Sequence, residues 1–593
     1  MTAKATKWFL VTEITAATLL LAIGAWRPVN GAAPPAVTLL PPETAIVFSM
    51  ADAPDLFGRF MNTAFGQMVR DPQLRPLVEH VYKSAAEFVQ DVEIPVGLSL
   101  AELAGIPQGE TTVAVVTPHQ APQCFVVMLD AGTHTSDARR LLAKVTESLE
   151  SSGARRSEEF IFGTRLVIYN GIGRRGRQMV FFEKSNAIVV ASNLDTVKRM
   201  LAVWNGESLS TLAGNSTFNA LVEHLRGVAG EDPQAVWYVN PGLLLERVGG
   251  SNPGAAMAGA MLPKLGLDGV LAVGGSLALD VGQFDLVFHT HVLLESPRRG
   301  VLEALALGSG NTKPENWVPA GVASYTTMHW RLDRAYESAK KMYDGYRGEG
   351  AWARLIDEQI GQIAALNFEE DMLPALDGRV TYAVWMERPV TPSSESSLIA
   401  FRLKKGASLD RAIDKVVAEN GPFLKRRSVA GTSYLQFAPP ESPQRPTESS
   451  PVGSCFGLLG DYLVITDRPS FYEEAIRTAA DPLKSLAESP DFKRATDEIQ
   501  RRSPSTPAML NFKRPEEGLR VLYEEAATEE YREEIRDRGR HNPLFHWLEA
   551  ALEANPLPPF AVMERYFAPK AAALSNEPNG IHYWGVTLRG QPD

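Results

Sequence analysis

The chain has 593 residues, 45% of them hydrophobic and 22% charged, and a formal net charge of −11. That length exceeds what one hydrophobic core organises, and the composition excludes wholesale disorder. The acidic balance argues against a nucleic-acid partner, and two cysteines, Cys124 and Cys455, are too few for a disulfide framework or a four-thiolate zinc site. A single bridge and two buried thiols both stay open.

Residues 1–31 read as a signal for export. Lys4 and Lys7 precede an apolar stretch from Ile14 to Trp26, and Val29, Asn30 and Gly31 lead to Ala32. The stretch is shorter than the ~20 residues of a spanning helix, which fits a secretory signal peptide. The alternative is a retained N-terminal anchor counting residues 8–26 as one span and tolerating Glu13. Either reading places the protein in the periplasm or cell envelope. No later stretch approaches a membrane span, so the mature body is expected not to be transmembrane.

Beyond the leader, two series of predicted elements run in the same order. LLPPETAIVFSM (39–50) has its counterpart in WVPAGVASYTTM (317–328), with Pro41 matching Pro319 and Met50 matching Met328. Each is followed by apolar residues at helical spacing: Leu74, Leu77, Val78, Val81 and Tyr82 in the first, Trp352, Leu355, Ile356, Ile360 and Ile363 in the second. GETTVAVV (109–116) then matches GRVTYAVW (378–385), and QCFVVMLDAG (123–132) matches SLIAFRLKKG (397–406). Amphipathic helices follow at 136–149 and 408–420. ARRS (154–157) and KRRS (425–428) lead to Gly163-Thr164 and Gly431-Thr432, then NAIVVASN (186–193) matches DYLVITDR (461–468), and SLSTLAGNSTF (208–218) matches PLKSLAESPDF (482–492).

This order predicts two tandem copies of one α+β unit, over residues 38–307 and 314–590. The alternative is two unrelated α+β domains with the same rhythm. A Pro/Ser-rich surface loop at 439–453 interrupts the second copy, and the connector lies near Leu307 to Lys313. Strands in adjacent pairs with short turns predict a mostly antiparallel sheet covered by amphipathic helices. A long hairpin is expected from 269–280 to 284–294, with 580–589 as a counterpart of its closing strand.

LPPETAIVFSM, the DPQLRPL of 71–77 and GLSLAELAGIPQGETTVAVV (97–116) resemble an uncharacterised bacterial family of exported proteins, known only as a domain of unknown function. The resemblance lies mainly over residues 39–220. It implies export and this fold, and it carries no catalytic residues.

Motifs for chemistry are sparse. Gly171, Gly173 and Gly176 spell G-x-G-x-x-G, but QMVFFE (178–183) after them reads as a strand, whereas a dinucleotide site needs a helix there. Arg155, Arg156, Arg174, Arg175 and Arg177 form a possible interaction patch for anionic lipid, polysaccharide or an acidic protein, or else a solvated hairpin end. His289 and His291 lie two apart on a predicted strand and so share a face. They are the candidates for metal ligation, although the third ligand is missing; Asp280, Asp285 and Glu295 are the carboxylates near in sequence. His541 and His546 straddle Asn542-Pro543, which breaks their register. No serine nucleophile motif is present, Cys124 sits in an apolar run, and no cofactor is indicated.

The expected function is therefore that of a non-catalytic exported envelope protein acting as a scaffold or binding partner for an envelope protein, polysaccharide or lipid. The alternatives are a carrier or sensor of an apolar or extracellular ligand, motivated by the Ala/Met-rich stretch 252–267, and a metal-dependent hydrolase built on His289 and His291.

Overall fold

The computed structural model describes residues 34–76, 107–118, 122–172, 176–226, 231–248, 253–364, 366–391, 393–438, 453–503, 505–529, 533 and 558–590. The leader, most of the 439–453 loop, His541 and His546 lie outside them.

The fold is α+β. In the first half the strands are β1 (Thr44–Met50), β2 (Thr111–Val116), β3 (Cys124–Asp130), β4 (Arg155–Ile161), β5 (Thr164–Ile172), β6 (Arg177–Lys184), β7 (Ala187–Ala191), β8 (Ala235–Val239), β9 (Val270–Val281) and β10 (Phe284–Leu294). The second half contributes β11 (Val322–His329), β12 (Leu376–Met386), β13 (Glu395–Leu403), β14 (Leu424–Val429), β15 (Thr432–Phe437), β16 (Cys455–Leu459), β17 (Tyr462–Thr466), β18 (Met509–Lys513), β19 (Lys570–Glu577) and β20 (Gly580–Leu588). All pair antiparallel in one 20-stranded sheet.

Across the first half the hydrogen-bonded order is β4-β5-β6-β7-β3-β2-β1-β8-β9-β10. From the far edge of the second half it is β14-β15-β16-β17-β13-β12-β11-β18-β19-β20. The two series meet where β10 pairs with β20, which places His289 opposite Trp584 and His291 opposite His582.

Alternation explains which face is covered. In β3, Cys124, Val126 and Met128 are buried while Phe125 and Val127 point outward. The inward row packs under the helices Leu194–Trp204 and Ser216–Leu225 through Val197, Met200, Leu201, Phe218 and Leu221. Asn193 and Asn215 cap those helices by accepting from the amides of Thr196 (2.9 Å) and Phe218 (3.1 Å). In the second half Phe471, Tyr472, Ile476, Phe492 and Ile499, on the helices Pro469–Ala480 and Pro490–Arg502, cover Leu398, Ala400, Val464, Leu510 and Phe512. That core takes in Ala278, Phe284 and Val287 from β9 and β10, so apolar packing crosses the junction between the halves.

Loop contacts recur as well. The Leu212 amide donates to the Leu40 carbonyl and the Leu486 amide to the Val318 carbonyl, each at 2.8 Å. Asn240 N–H donates to the Ala45 carbonyl and Arg514 N–H to the Ala323 carbonyl, again at 2.8 Å. The β4–β5 and β14–β15 hairpins both turn on two residues of positive φ, Phe162-Gly163 (49° and 72°) and Ala430-Gly431 (46° and 84°). That is the tight turn whose twist suits a hairpin, and it prefers Asn-Gly. A Cβ on Gly431 would touch nothing within 4 Å, so Gly431→Ala is expected to cost about 1 kcal/mol from backbone conformation alone. Ala430→Asn, which eases the first position, is expected to stabilise by about 0.5 kcal/mol or more. Shifts in the urea midpoint of opposite sign for the two variants check this.

Both thiols are free and buried. Burial raises the thiol of Cys124 and pushes that of Cys455 up to about 11, so neither is an activated thiolate. Among the described residues no helix is long and apolar enough to cross a membrane.

A candidate metal centre at the junction of the two halves

His289 and His291 occupy the inward face of β10, as their spacing predicts, and are 4% and 0% exposed. Pairing with β20 sets two more rings beside them, His582 and Trp584, both buried. Trp584 stacks on His289, with ring centroids 5.6 Å apart and planes within 6°. His289 Nδ1 and His582 Nε2 are 3.1 Å apart and share one hydrogen bond.

His224 comes down onto this group from the last turn of the helix Ser216–Leu225. Two features of β9 bring that helix close. Gly274 leaves the space that Leu221 fills, since a Cβ there would lie 2.5 Å from Leu221 Cδ2. Ser276 Oγ donates to the Leu225 carbonyl at 2.8 Å and holds the helix end. The His224 and His291 rings stack, with centroids 4.0 Å apart. Glu577, at the end of β19, approaches from the other side, with Oε2 3.2 Å from His224 Nε2. Arg298 grips the β19–β20 turn by donating to Asn576 Oδ1 (2.6 Å), the Glu577 carbonyl (2.7 Å) and the Gly580 carbonyl (2.8 Å). Gly580 must be glycine, because a Cβ there would lie 2.5 Å from His291 Nε2.

Burial governs the charge of these rings. His291 is depressed to about 3, first by burial and then by repulsion from His224 and His582; His582 is depressed to about 4, by burial and then by His289 and His224. Burial also lowers His289, partly opposed by the Glu231 carboxylate. These three rings are therefore neutral near pH 7, the form in which imidazole donates a lone pair. Both nitrogens of His291, His289 Nε2 and His582 Nδ1 are buried with no hydrogen-bond partner.

The carboxylates near in sequence do not join the group. Asp280 pairs with Arg589 and Asn62, Asp285 accepts from the Ala64 amide, and Glu295 pairs with Arg299. Glu577 takes their place because strand pairing, not sequence distance, decides what lies beside β10. His224, Glu577 and His582 carry no local signal that singles them out.

The arginine patch is only partly visible. Arg155 and Arg156 are exposed on β4, Arg156 bonds Glu158 at 2.8 Å, and Arg177 opens β6 one strand beyond β5. Arg174 and Arg175 lie outside the described residues. The glycine string runs from β5 into β6, so a strand follows it and no helix N-terminus faces a phosphate there. A cleft in the second half is lined by Trp385, Leu483, Arg514 and Glu517. Its charged groups are committed: Glu517 pairs with Arg388, and Arg514 donates to the Val322 carbonyl and Ser489.

Fold and site together define an α+β protein with one long antiparallel sheet and a buried imidazole cluster at its centre. Residues 349–530 match the model of the family described as Protein of unknown function (DUF3352). The match falls in the second half, not over the 39–220 segment in which the resemblance to an uncharacterised family was read. No curated protein and no solved structure matches the chain.

Proposed function

We propose that the chain is a non-catalytic protein exported to the cell envelope, built from two tandem copies of one unit, that acts by binding or scaffolding a partner. The shared strand order of the halves and their recurring loop bonds support the duplication. The observation that carries the binding role is an exposed apolar row on β1–β3, on the side turned away from the helices Leu194–Trp204 and Ser216–Leu225. Val127, Val113 and Phe48 are directly opposed across β3, β2 and β1, with Phe125 beside them 59% exposed. Contiguous apolar surface of this kind marks interaction sites more often than scattered apolar residues do.

A photo-crosslinking residue at Phe125 or Val113 is expected to capture a discrete envelope protein in intact cells. One at Arg165, on the exposed side of β5, is expected not to. Equal capture at all three positions, or none at the apolar row, defeats the binding role. A lipid-sized adduct in native mass spectrometry, lost on Phe125→Glu, would move the reading to a carrier of an apolar ligand. Export is tested separately by fusing residues 1–31 to a reporter that is active only outside the cytoplasm.

A further inference from the structure

We infer that His224, His291 and Glu577 bind one divalent transition-metal ion of the zinc class, and that the ion ties the first half of the chain to the second. One donor atom from each residue lies within 4.8 Å of the other two. Two imidazoles and a carboxylate form a donor set suited to zinc and its first-row neighbours, whereas calcium and magnesium favour oxygen alone.

Two observations point to a cation independently. His224 Nδ1 lies 2.8 Å from the Ala220 carbonyl and donates to it, so that in the neutral ring the lone pair is on Nε2. That lone pair faces Glu577 Oε2 at 3.2 Å, acceptor against acceptor, unless a positive species sits between them. The Asn579 amide, 3.5 Å from Nε2, is at the far limit of hydrogen bonding and does not resolve the conflict. Second, His291 is fully buried with neither ring nitrogen satisfied, and a bound ion would satisfy one of them.

The supports resemble those around metal ligands: the Ala220 carbonyl fixes the His224 tautomer, and Arg298 holds the turn that carries Glu577. His224 and Glu577 keep 21% and 17% of their side chains exposed, which gives an ion a route from solvent. His224 and His291 belong to the first half and Glu577 to the second, so the ion would act as a staple across the β10–β20 seam.

The test uses the full, untagged chain stripped with chelator, titrated with ZnCl2 by calorimetry and with CoCl2 by visible absorption. The expected result is one equivalent of Zn(II) bound at micromolar Kd or tighter, with Co(II) ligand-field bands of a four- or five-coordinate site and a raised Tm. His224→Ala and Glu577→Gln, at the rim of the cluster, should each weaken binding by about 100-fold or more while near-UV circular dichroism stays native. Folded wild-type protein that takes up no saturable zinc overturns the inference, as does uptake unchanged in both variants. A protonated His224 paired with Glu577 predicts the first of these outcomes. None of these results bears on crosslinking at the apolar row, so the two readings fail separately.

Discussion

Arg379→Met is expected to destabilise the protein by about 3–5 kcal/mol, read as a fall in the urea midpoint. Arg379 and Glu315 form an ion pair at 3.0 Å, with side chains only 6% and 4% exposed. Both partners are hydrogen-bonded to their surroundings. Tyr325 Oη donates to Glu315 Oε2 (3.1 Å) and Thr381 Oγ1 to Oε1 (2.7 Å), while Arg379 donates to Thr327 Oγ1 (3.0 Å) and the Lys313 carbonyl (2.6 Å). Burial, followed by the Glu315 charge, raises the Tyr325 phenol, so that ring stays a neutral donor. Removing the guanidinium would leave a buried carboxylate without its counter-charge, which costs far more than the pair contributes net. The double variant Arg379→Met/Glu315→Gln is therefore expected to recover more than half of the loss. A single-variant cost below about 1 kcal/mol would place this pair with exposed ion pairs instead.

The second large effect is acid sensitivity in chelator-treated protein. His291 and His582 have folded-state values of about 3 and about 4, against an ordinary value of 6.5. A depressed histidine takes up its proton more readily when unfolded, so its contribution is fully present above pH 6.5. It is lost as pH falls from there toward the folded-state value. Each withheld proton costs about 1.4 kcal/mol per pH unit within that window. Two such groups acting together approach about 3 kcal/mol per unit, a large share of a typical stability of about 5–15 kcal/mol.

Asp285 and Glu516, whose carboxyls are raised mainly by burial, act in the opposite sense. Lowered carboxylates such as Asp371, bonded to Lys415, lose their contribution only below their ordinary range. Comparison with His582→Gln isolates the histidine contribution. Between pH 6.5 and 5 the variant is expected to lose about 2 kcal/mol less stability than wild type. Parallel pH profiles for the two proteins would show that His582 titrates alike in the folded and unfolded chain, contrary to this expectation.

Much of this was legible in local sequence because the determinants are local. The apolar run CFVVML suggested burial of Cys124, which is 0% exposed. Gly163-Thr164 and Gly431-Thr432 marked the entry into a strand, and two-residue spacing put His289 and His291 on one face. The parallel order of motifs in the two halves anticipated their common strand order. The third ligand was not legible: Asp280, Asp285 and Glu295 were the near carboxylates, and each is committed to another partner.

What the chain's own pattern determined is which segments become strands, turns and capped helices, and which side of each faces inward. Those outcomes follow from backbone sterics and from spacing within a few residues. Only the tertiary structure decided that β3 pairs with β7, that β10 pairs with β20, and that His224, His291 and Glu577 meet. It also decided the partners of the two oppositely charged residues that the matched segments place at one position. Glu110, just before β2, accepts from the Ala36 amide and Thr112, whereas Arg379, the equivalent residue of β12, reaches Glu315 and the Lys313 carbonyl. Non-local strand pairing depends on the summed fit of distant faces, and no residue type or short spacing announces it.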